Sequence, residues 1–465
     1  MRYMIGIDVG GTFTDLTFVD VLQRHLTVHK LPSTPHNPSE AIITGIREVL
    51  ASQAVSPESV DYLAHGTTVA TNALIERTGA RTGLIVTTGF RDLLEIGDQT
   101  RPSLYNIRLP KPEVFVPGER RLEVRERVYA DGRVRTPLDP SSLQHAISAL
   151  KAADVEAVAI CFLFSYVNAE HEEHVRAAVQ EALPDVYITA SHEIVPEFRE
   201  YARLSTTVLN AYLGPVMQRY LQDFEAAVGE MGIHQQPYVT QSNGGILSIG
   251  ECIRAPIRTA VSGPSAGVVG ALYTGQAAGF PNLITLDLGG TSADISLIDR
   301  GDPLLSMERK VEGFPARIPM MDIATIGAGG GSIAWIDPGG ALKVGPRSAG
   351  AAPGPACYGL GGTLPTVTDA NAVLGRINPG QILGGRLSLD LNAAKKAIQE
   401  HICQHTGLNL IEAASGVIRV VNANMVRAIR RVTVERGYNP QDFALMAFGG
   451  AGPLHAVAVA RELGV

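Results

Sequence analysis

The sequence predicts an α/β protein built by duplication. Two observations carry that expectation: one hairpin motif written twice, and apolar strand runs that alternate with helical stretches along 465 residues. The pattern Asp-x-Gly-Gly-Thr-x-x-Asp runs from Asp8 to Asp15 and recurs from Asp287 to Asp294. Each copy follows a short apolar run (Tyr3 to Ile7, Leu283 to Leu286) and leads into another (Leu16 to Val19, Ile295 to Ile298), which reads as the tight turn of a β-hairpin. Gly10, Gly11, Gly289 and Gly290 would let backbone N–H groups approach an anion, with hydroxyl donors from Thr12, Thr14, Thr291 and Ser292. Asp8 and Asp287 can hold Mg²⁺, directly or through its water shell. Two such hairpins facing each other would pinch a polyphosphate, with Asp8, Thr12, Asp287 and Thr291 closest to the chemistry. Asp15 and Asp294 either support the threonine hydroxyls or satisfy their own hairpins.

The elements between the copies follow in order. Asp61 to Thr78 reads as a strand, the turn His65-Gly66-Thr67-Thr68 and a helix, whose N-terminus favours an anion. Residues 84–88 form a buried strand. From Pro102 to about Pro140 dense proline and charge predict an irregular, partly extended excursion rather than a regular layer. Leu143 to Ala152 is helical, Ala157 to Phe164 a buried strand, and Glu170 to Leu183 a surface helix. Tyr201 to Met231 is helical, with a break expected at Gly214-Pro215. Tyr238 to Thr240 is a strand leading to Ser242-Asn-Gly-Gly, and Ser262 to Gly279 a helix of small residues. After the second hairpin, Gly327 to Gly362 is so rich in Gly, Pro and Ala that tight turns or a bound group must order it. Asn392 to His405 and Leu410 to Arg436 are helical. Met446 to Pro453 is a strand and glycine turn opening a last helix.

Composition narrows the function. Apolar residues make up 45%, aromatic residues only 6%, and the net charge is −7, so nothing resembles a basic nucleic-acid footprint. The four cysteines are scattered without a Cys-x-x-Cys pair, which predicts reduced thiols, with neither a disulfide framework nor a zinc site. His192, His234 and His401 have no ligand-like spacing. A strand begins within three residues of Met1 and no apolar run reaches spanning length, which points to a soluble cytoplasmic protein without a signal peptide.

In this order the parts resemble the actin-like ATPase superfamily of sugar kinases, actin and heat-shock chaperones. Asp8 to Asp15 is similar to its first phosphate loop, Asp287 to Asp294 to its second, and Phe448 to Gly452 to its adenosine loop. A narrower resemblance rests on HGTTVATNALIERTGA from His65, TTGFRDLLEIGDQTRPSLYN from Thr87, SGPSAGVVGA from Ser262, IGAGGGSIAWID from Ile326 and PGPACYGLGGTLPTVTDANAVLGRI from Pro353. Together these resemble the A subunit of the hydantoinase/oxoprolinase family, which includes lactamases and the acetone and acetophenone carboxylases.

The resemblance implies a ribonuclease-H-like unit repeated in two lobes around a nucleotide cleft. The first lobe would begin at 1–88, an insertion on the substrate side would follow at 89–235, the first lobe and a crossing helix would return at 236–281, and the second lobe would fill 282–465. It implies ATP and Mg²⁺ as cofactors, with Gly329, Gly330, Gly449, Gly450 and Gly452 near the nucleotide. It places His65, Thr67, Thr68, Asn72, Arg91, Asp92, Gln99, Arg101 and Ser265 on the substrate side. Read as residues alone, the two threonines also serve as helix caps, and the run from Arg91 to Arg101 as a solvated charge cluster.

The implied activity is ATP-dependent activation of a cyclic amide (hydantoin, oxoproline or lactam) for hydrolysis with a B-type partner subunit, in an oligomer. An ATP-dependent ketone carboxylase subunit, and an actin-like switch without chemistry of its own, are the alternatives. Two departures stand out. Family members usually continue past FGGAGPLHA, so the chain reads as truncated or short, and Ala352 stands where an aspartate is common.

Overall fold

The computed structural model describes residues 2–10, 13–34, 38–380 and 388–465. The chain divides into two units, residues 1–265 with 305–320, and residues 266–304 with 321–465.

In the first unit β1 (Tyr3–Val9), β2 (Phe13–Asp20) and β3 (His25–Pro32) form an antiparallel meander, and β4 (Val60–Gly66) joins β1 in parallel. Alternate residues Ile5, Ile7, Val9, Leu16 and Phe18 share one buried face, as the period of two requires. That face receives Ile42, Ile46 and Val49 from α1 (Pro38–Ser52), a stripe at helical spacing. The short helix α2 (Val69–Ile75) follows β4.

A second, all-parallel sheet comes next. Its strands are β5 (Thr82–Thr87) and, after α3 (Leu93–Ile96), β6 (Arg121–Val124). A small hairpin of β7 (Arg127–Val128) and β8 (Val134–Thr136), then α4 (Pro140–Ala152), lead to β9 (Ala157–Cys161). α5 (Glu170–Ala182), β10 (Tyr187–Ala190) and α6 (Ser191–Ile194) complete it, in the order β10-β9-β5-β6. β5 and β9 are buried along their whole length, as strands covered on both faces must be. β6 corrects the reading of 102–140 as an irregular, partly extended excursion outside any regular layer. Its alternating Arg121 and Glu123 disguise a strand, and the Arg121 side chain is buried by donating to the Val116 carbonyl at 2.8 Å and to Glu95 at 2.7 Å.

α7 (Glu200–Glu230) is a second correction, because it runs unbroken through Gly214-Pro215. A Cβ at Gly214 would lie 2.3 Å from the Tyr187 ring, so the glycine is there for close packing. Burial of most of the helix outweighs the roughly 3 kcal/mol that an interior proline costs. β11 (Tyr238–Thr240), parallel to β4, and β12 (Ile246–Ser248) then complete the first sheet in the order β12-β11-β4-β1-β2-β3. α8 (Ile249–Arg254) and α9 (Ser262–Ala277) follow.

Residues 305–320, which the sequence reading places in the second lobe, belong to the first unit. The Phe314 ring sits edge-on to Phe115 at 5.2 Å, and Arg317 donates through its backbone N–H to Thr206 and through Nε to Glu197.

The second unit repeats the first plan. β13 (Leu283–Leu288) and β14 (Ala293–Asp299) form the antiparallel hairpin. The strand Ile323–Ile326 pairs antiparallel with β14, and Ala444–Phe448 lies parallel to β13. This is the order β3-β2-β1-β4 again, the repetition that the duplicated hairpin motif predicts. The registers coincide: Asp8 faces Asp15 and Asp287 faces Asp294. The helices Leu410–Val432 and Gly452–Leu463 bury one face of the sheet, while Val268 and Ala271 of α9 bury the other. Asn409 and Glu412 start the Leu410–Val432 helix with a reciprocal capping box. Among the described residues no helix is long and apolar enough to cross a membrane.

Candidate functional site

In the first unit the carboxyl ends of β1, β4 and β11 come together, the end of a parallel sheet where α/β proteins place ligands. A Cβ at Gly66 would lie 3.3 Å from Asp8 Oδ1 and 3.5 Å from Thr240 Oγ1. The Thr240 hydroxyl is buried and has no hydrogen-bond partner among the described residues. Sequence reasoning stopped at the strand and missed this residue; its one signal was its place just before Ser242-Asn-Gly-Gly. Asp8 remains reachable by water, yet surrounding protein atoms raise its pKa above the ordinary carboxylate value, Asp15 adds to the rise, and Lys30 offsets part of it. Lys30 donates to both oxygens of Asp15 at 2.6 Å.

Thr14 is buried, and its hydroxyl shares a hydrogen bond with Ser33, which donates to the Gly10 carbonyl at 2.7 Å. Gly11 and Thr12 lie outside the described residues.

His65 and Thr67 are buried behind this surface. His65 Nε2 is bonded to the Tyr220 hydroxyl, which also meets the Thr67 side chain. Burial pushes the His65 pKa down to about 3, so the ring is neutral at working pH. Thr67 Oγ1 accepts from the Val69 N–H at 3.2 Å, whereas Thr68, at the cap position of α2, makes no side-chain capping bond. Ser265 donates to the Ser242 carbonyl at 2.7 Å, and Asn72 is exposed on α2.

The remaining residues expected on the substrate side come after β5 of the other sheet of this unit. Arg91 and Asp92 follow β5, and Asp92 lies 3.6 Å from the buried Arg121. Gln99 and Arg101 are exposed, and Arg101 lines a cavity of about 680 Å³ with Tyr201 and Lys310.

In the second unit Asp287 is the last residue but one of β13 and stands against a glycine turn. Gly449 has φ +77°, and a Cβ there would lie 2.2 Å from Asp287 Oδ1 and 2.7 Å from the Leu288 carbonyl oxygen. The Gly327–Gly331 loop is laced to the hairpin by backbone bonds from Gly330 to Gly289 (3.0 Å) and from Gly331 to Gly290. A Cβ at Gly329 would come within 2.7 Å of the Gly290 and Thr291 backbone. Thr368 holds the same loop, donating through N–H and hydroxyl to the Gly330 carbonyl. Gly290, Thr291 and Gly450 are exposed, Ser292 is half-buried, and Gly452 begins the following helix. Asp294 accepts from Thr325 at 2.5 Å.

Asp369 orders the neighbouring Pro-Gly segment by accepting from the Ala356, Cys357 and Thr366 N–H groups. Ala352 is exposed. All four cysteines are free thiols.

Either surface taken by itself has the groups that a magnesium nucleotide would need: backbone stands where a side chain would collide, with a carboxylate beside it. Mg²⁺ takes one or two carboxylates and completes its shell with phosphates and water. Among the described residues no cluster of three or more His, Cys, Asp or Glu can cage a metal without such help.

The model of the hydantoinase/oxoprolinase N-terminal region matches residues 4–183, and that of hydantoinase/oxoprolinase matches residues 203–465. The chain is 43% identical over 470 residues to caprolactamase subunit alpha of Pseudomonas jessenii, covering 100% of this chain and 67% of that protein. It is 37% identical to the acetophenone carboxylase gamma subunit of Aromatoleum aromaticum, covering 99% and 65%. The crystal structure of ATP-dependent caprolactamase from Pseudomonas jessenii superposes with a TM-score of 0.89 at 42% identity, covering 99% of this chain and 68% of that one. The chain thus spans about two thirds of the length of these relatives.

Proposed function

The chain belongs to the hydantoinase/oxoprolinase family, and from that premise we propose that it is the ATP-dependent activating subunit of a cyclic-amide hydrolase. The observation that carries this reading is the pair of register-matched aspartates, each with Oδ1 set against a glycine at or just past the end of the neighbouring parallel strand.

A lactam or hydantoin carbonyl is a poor electrophile because amide resonance stabilises it. ATP, when bound, supplies the phosphoryl group that makes the amide oxygen a leaving group. The protein's own part is positioning and charge neutralisation. Asp8 in the first unit and Asp287 in the second would each offer a carboxylate to Mg²⁺, the turns at Gly289-Gly290, Gly329-Gly330 and Gly449-Gly450 would lay backbone against the nucleotide, and Thr291 would add a hydroxyl. In the first unit, neutral His65 and Tyr220 fix Thr67, and the Thr240 hydroxyl offers a donor beside Asp8. A separate B-type subunit takes the hydrolytic step.

The test is an ATPase assay across lactams, hydantoins and ketones, with and without that subunit. Cyclic-amide-dependent ATP loss is expected. ATP binding with no stimulation by any substrate would sink the enzymatic reading. The relationship to a carboxylase subunit supports a second reading, ketone carboxylation, which ATP loss requiring both bicarbonate and a ketone would establish.

A further inference from the structure

One cavity of the second unit has no part in the surfaces described above. It holds about 510 Å³, within the range that small-molecule sites occupy. One wall is the hairpin of Ser332–Ile336 and Leu342–Ser348, which supplies Ile333, Trp335 and Arg347. The opposite wall carries His401, from the turn Gln399–Cys403, and His405 just after it. That turn is π-helical, a rare geometry frequent at functional sites. The Trp335 indole is 41% exposed yet fixed in place, because Nε1 donates to the Gly345 carbonyl at 3.0 Å. An aromatic face held in this way is a stacking surface for a second ring. Charge on the walls is unbalanced in one direction. Asp337, the one carboxylate among the described lining residues, is already engaged. It accepts from the Gly339 and Ala341 N–H groups at 3.0 and 2.9 Å and lies 3.6 Å from Lys343. Among the described residues Arg347, His401 and His405 have no hydrogen-bond or ion-pair partner. A guanidinium and two imidazoles are left over, and no carboxylate is left to answer them.

We propose that this cavity binds a small aromatic anion, with the ring on Trp335 and a carboxylate or phosphate group on Arg347, beside His401 and His405. The planar guanidinium takes either group through two parallel N–H bonds. None of these residues belongs to the nucleotide surfaces, so the site stands whether or not the chain activates a cyclic amide.

Trp335 is the chain's single tryptophan, so its fluorescence reads the site without a label. The full chain is titrated with benzoate and with phenyl phosphate, each in the presence of saturating Mg-ATP. A saturable change with at least one probe is expected, and the tighter of the two identifies the preferred anionic group. Arg347→Gln is expected to weaken that probe about tenfold or more, as loss of a charged hydrogen-bonding partner does, while binding Mg-ATP like the parent. Trp335→Leu, followed by calorimetry, is expected to weaken it about tenfold through loss of stacking. No saturable response to either probe, or unchanged affinity in Arg347→Gln, overturns the inference. Equal binding of benzyl alcohol, which keeps the ring without the charge, or of cyclohexanecarboxylate, which keeps the charge without the aromatic face, overturns it as well. So does displacement of the probe by Mg-ATP, because the cavity would then be part of the nucleotide surface.

Discussion

The two hairpin units share strand order and register but differ in what stands against the aspartate. Beside Asp8 is a turn of hydroxyl-bearing residues, Gly66-Thr67-Thr68, backed by His65 and Tyr220. Beside Asp287 is Phe448-Gly449-Gly450, backed by Ala447 at the position equivalent to His65. The third strands differ as well, since Lys30 reaches Asp15 where Thr325 reaches Asp294. Duplication kept the scaffold and changed the surface it presents. The second copy offers bare backbone, suited to a ligand recognised by its phosphates. The first offers side chains, suited to whatever distinguishes one substrate from another.

The largest expected effect tests that asymmetry directly. Gly449→Ala puts a methyl on Asp287 at a positive φ and is expected to weaken Mg-ATP binding about 100-fold or more. Gly66→Ala meets Asp8 only at 3.3 Å and should cost less than about tenfold. Calorimetric titration of both variants compares them; equal losses would mean that the turns are used alike.

A smaller effect separates the units by acid. Each holds a buried neutral histidine, His65 with a pKa of about 3 and His455 with a pKa of about 4. As pH falls below 6.5 the unfolded chain takes up a proton that the folded chain refuses. Each histidine therefore withdraws about 1.4 kcal/mol per pH unit until its folded pKa is reached. The single tryptophan, Trp335, reports only the second unit. In urea melts between pH 7 and 4.5, His455→Gln is expected to flatten the acid loss of the Trp335 transition, and His65→Gln to leave that slope alone. The reverse pattern would refute the assignment.

The smallest effect comes from the third strands. Lys30 restrains the rise of the Asp8 pKa, so Lys30→Met should move the acid limb of nucleotide binding to higher pH, as calorimetric titration across the acid range would read. Thr325→Val removes no charge and should leave the limb in place. A shift of equal size in both variants would remove the charge argument.

What was legible in the sequence was local. Asp8 and Asp287 announced themselves because the motif and its flanking alternation lie within a few residues. β6 was hidden because Arg121 reads as exposed until the Val116 carbonyl and Glu95, the latter 26 residues back, are seen to take its donors. Pro215 misled because its local cost is visible in the sequence, while the packing of α7, including Gly214 on Tyr187, is not. Thr240 and Tyr220 reach the candidate site only through pairing and packing with β4, and no spacing rule foretells which hydroxyl will be left without a partner.

α7 also bears on how this architecture can change over time. About 46 Å of helix packs on β9 and β10 of the second sheet and on α1 and α2 beside the first one. One helix thus walls both sheets, and any later variation in either must spare the face that α7 presents to it.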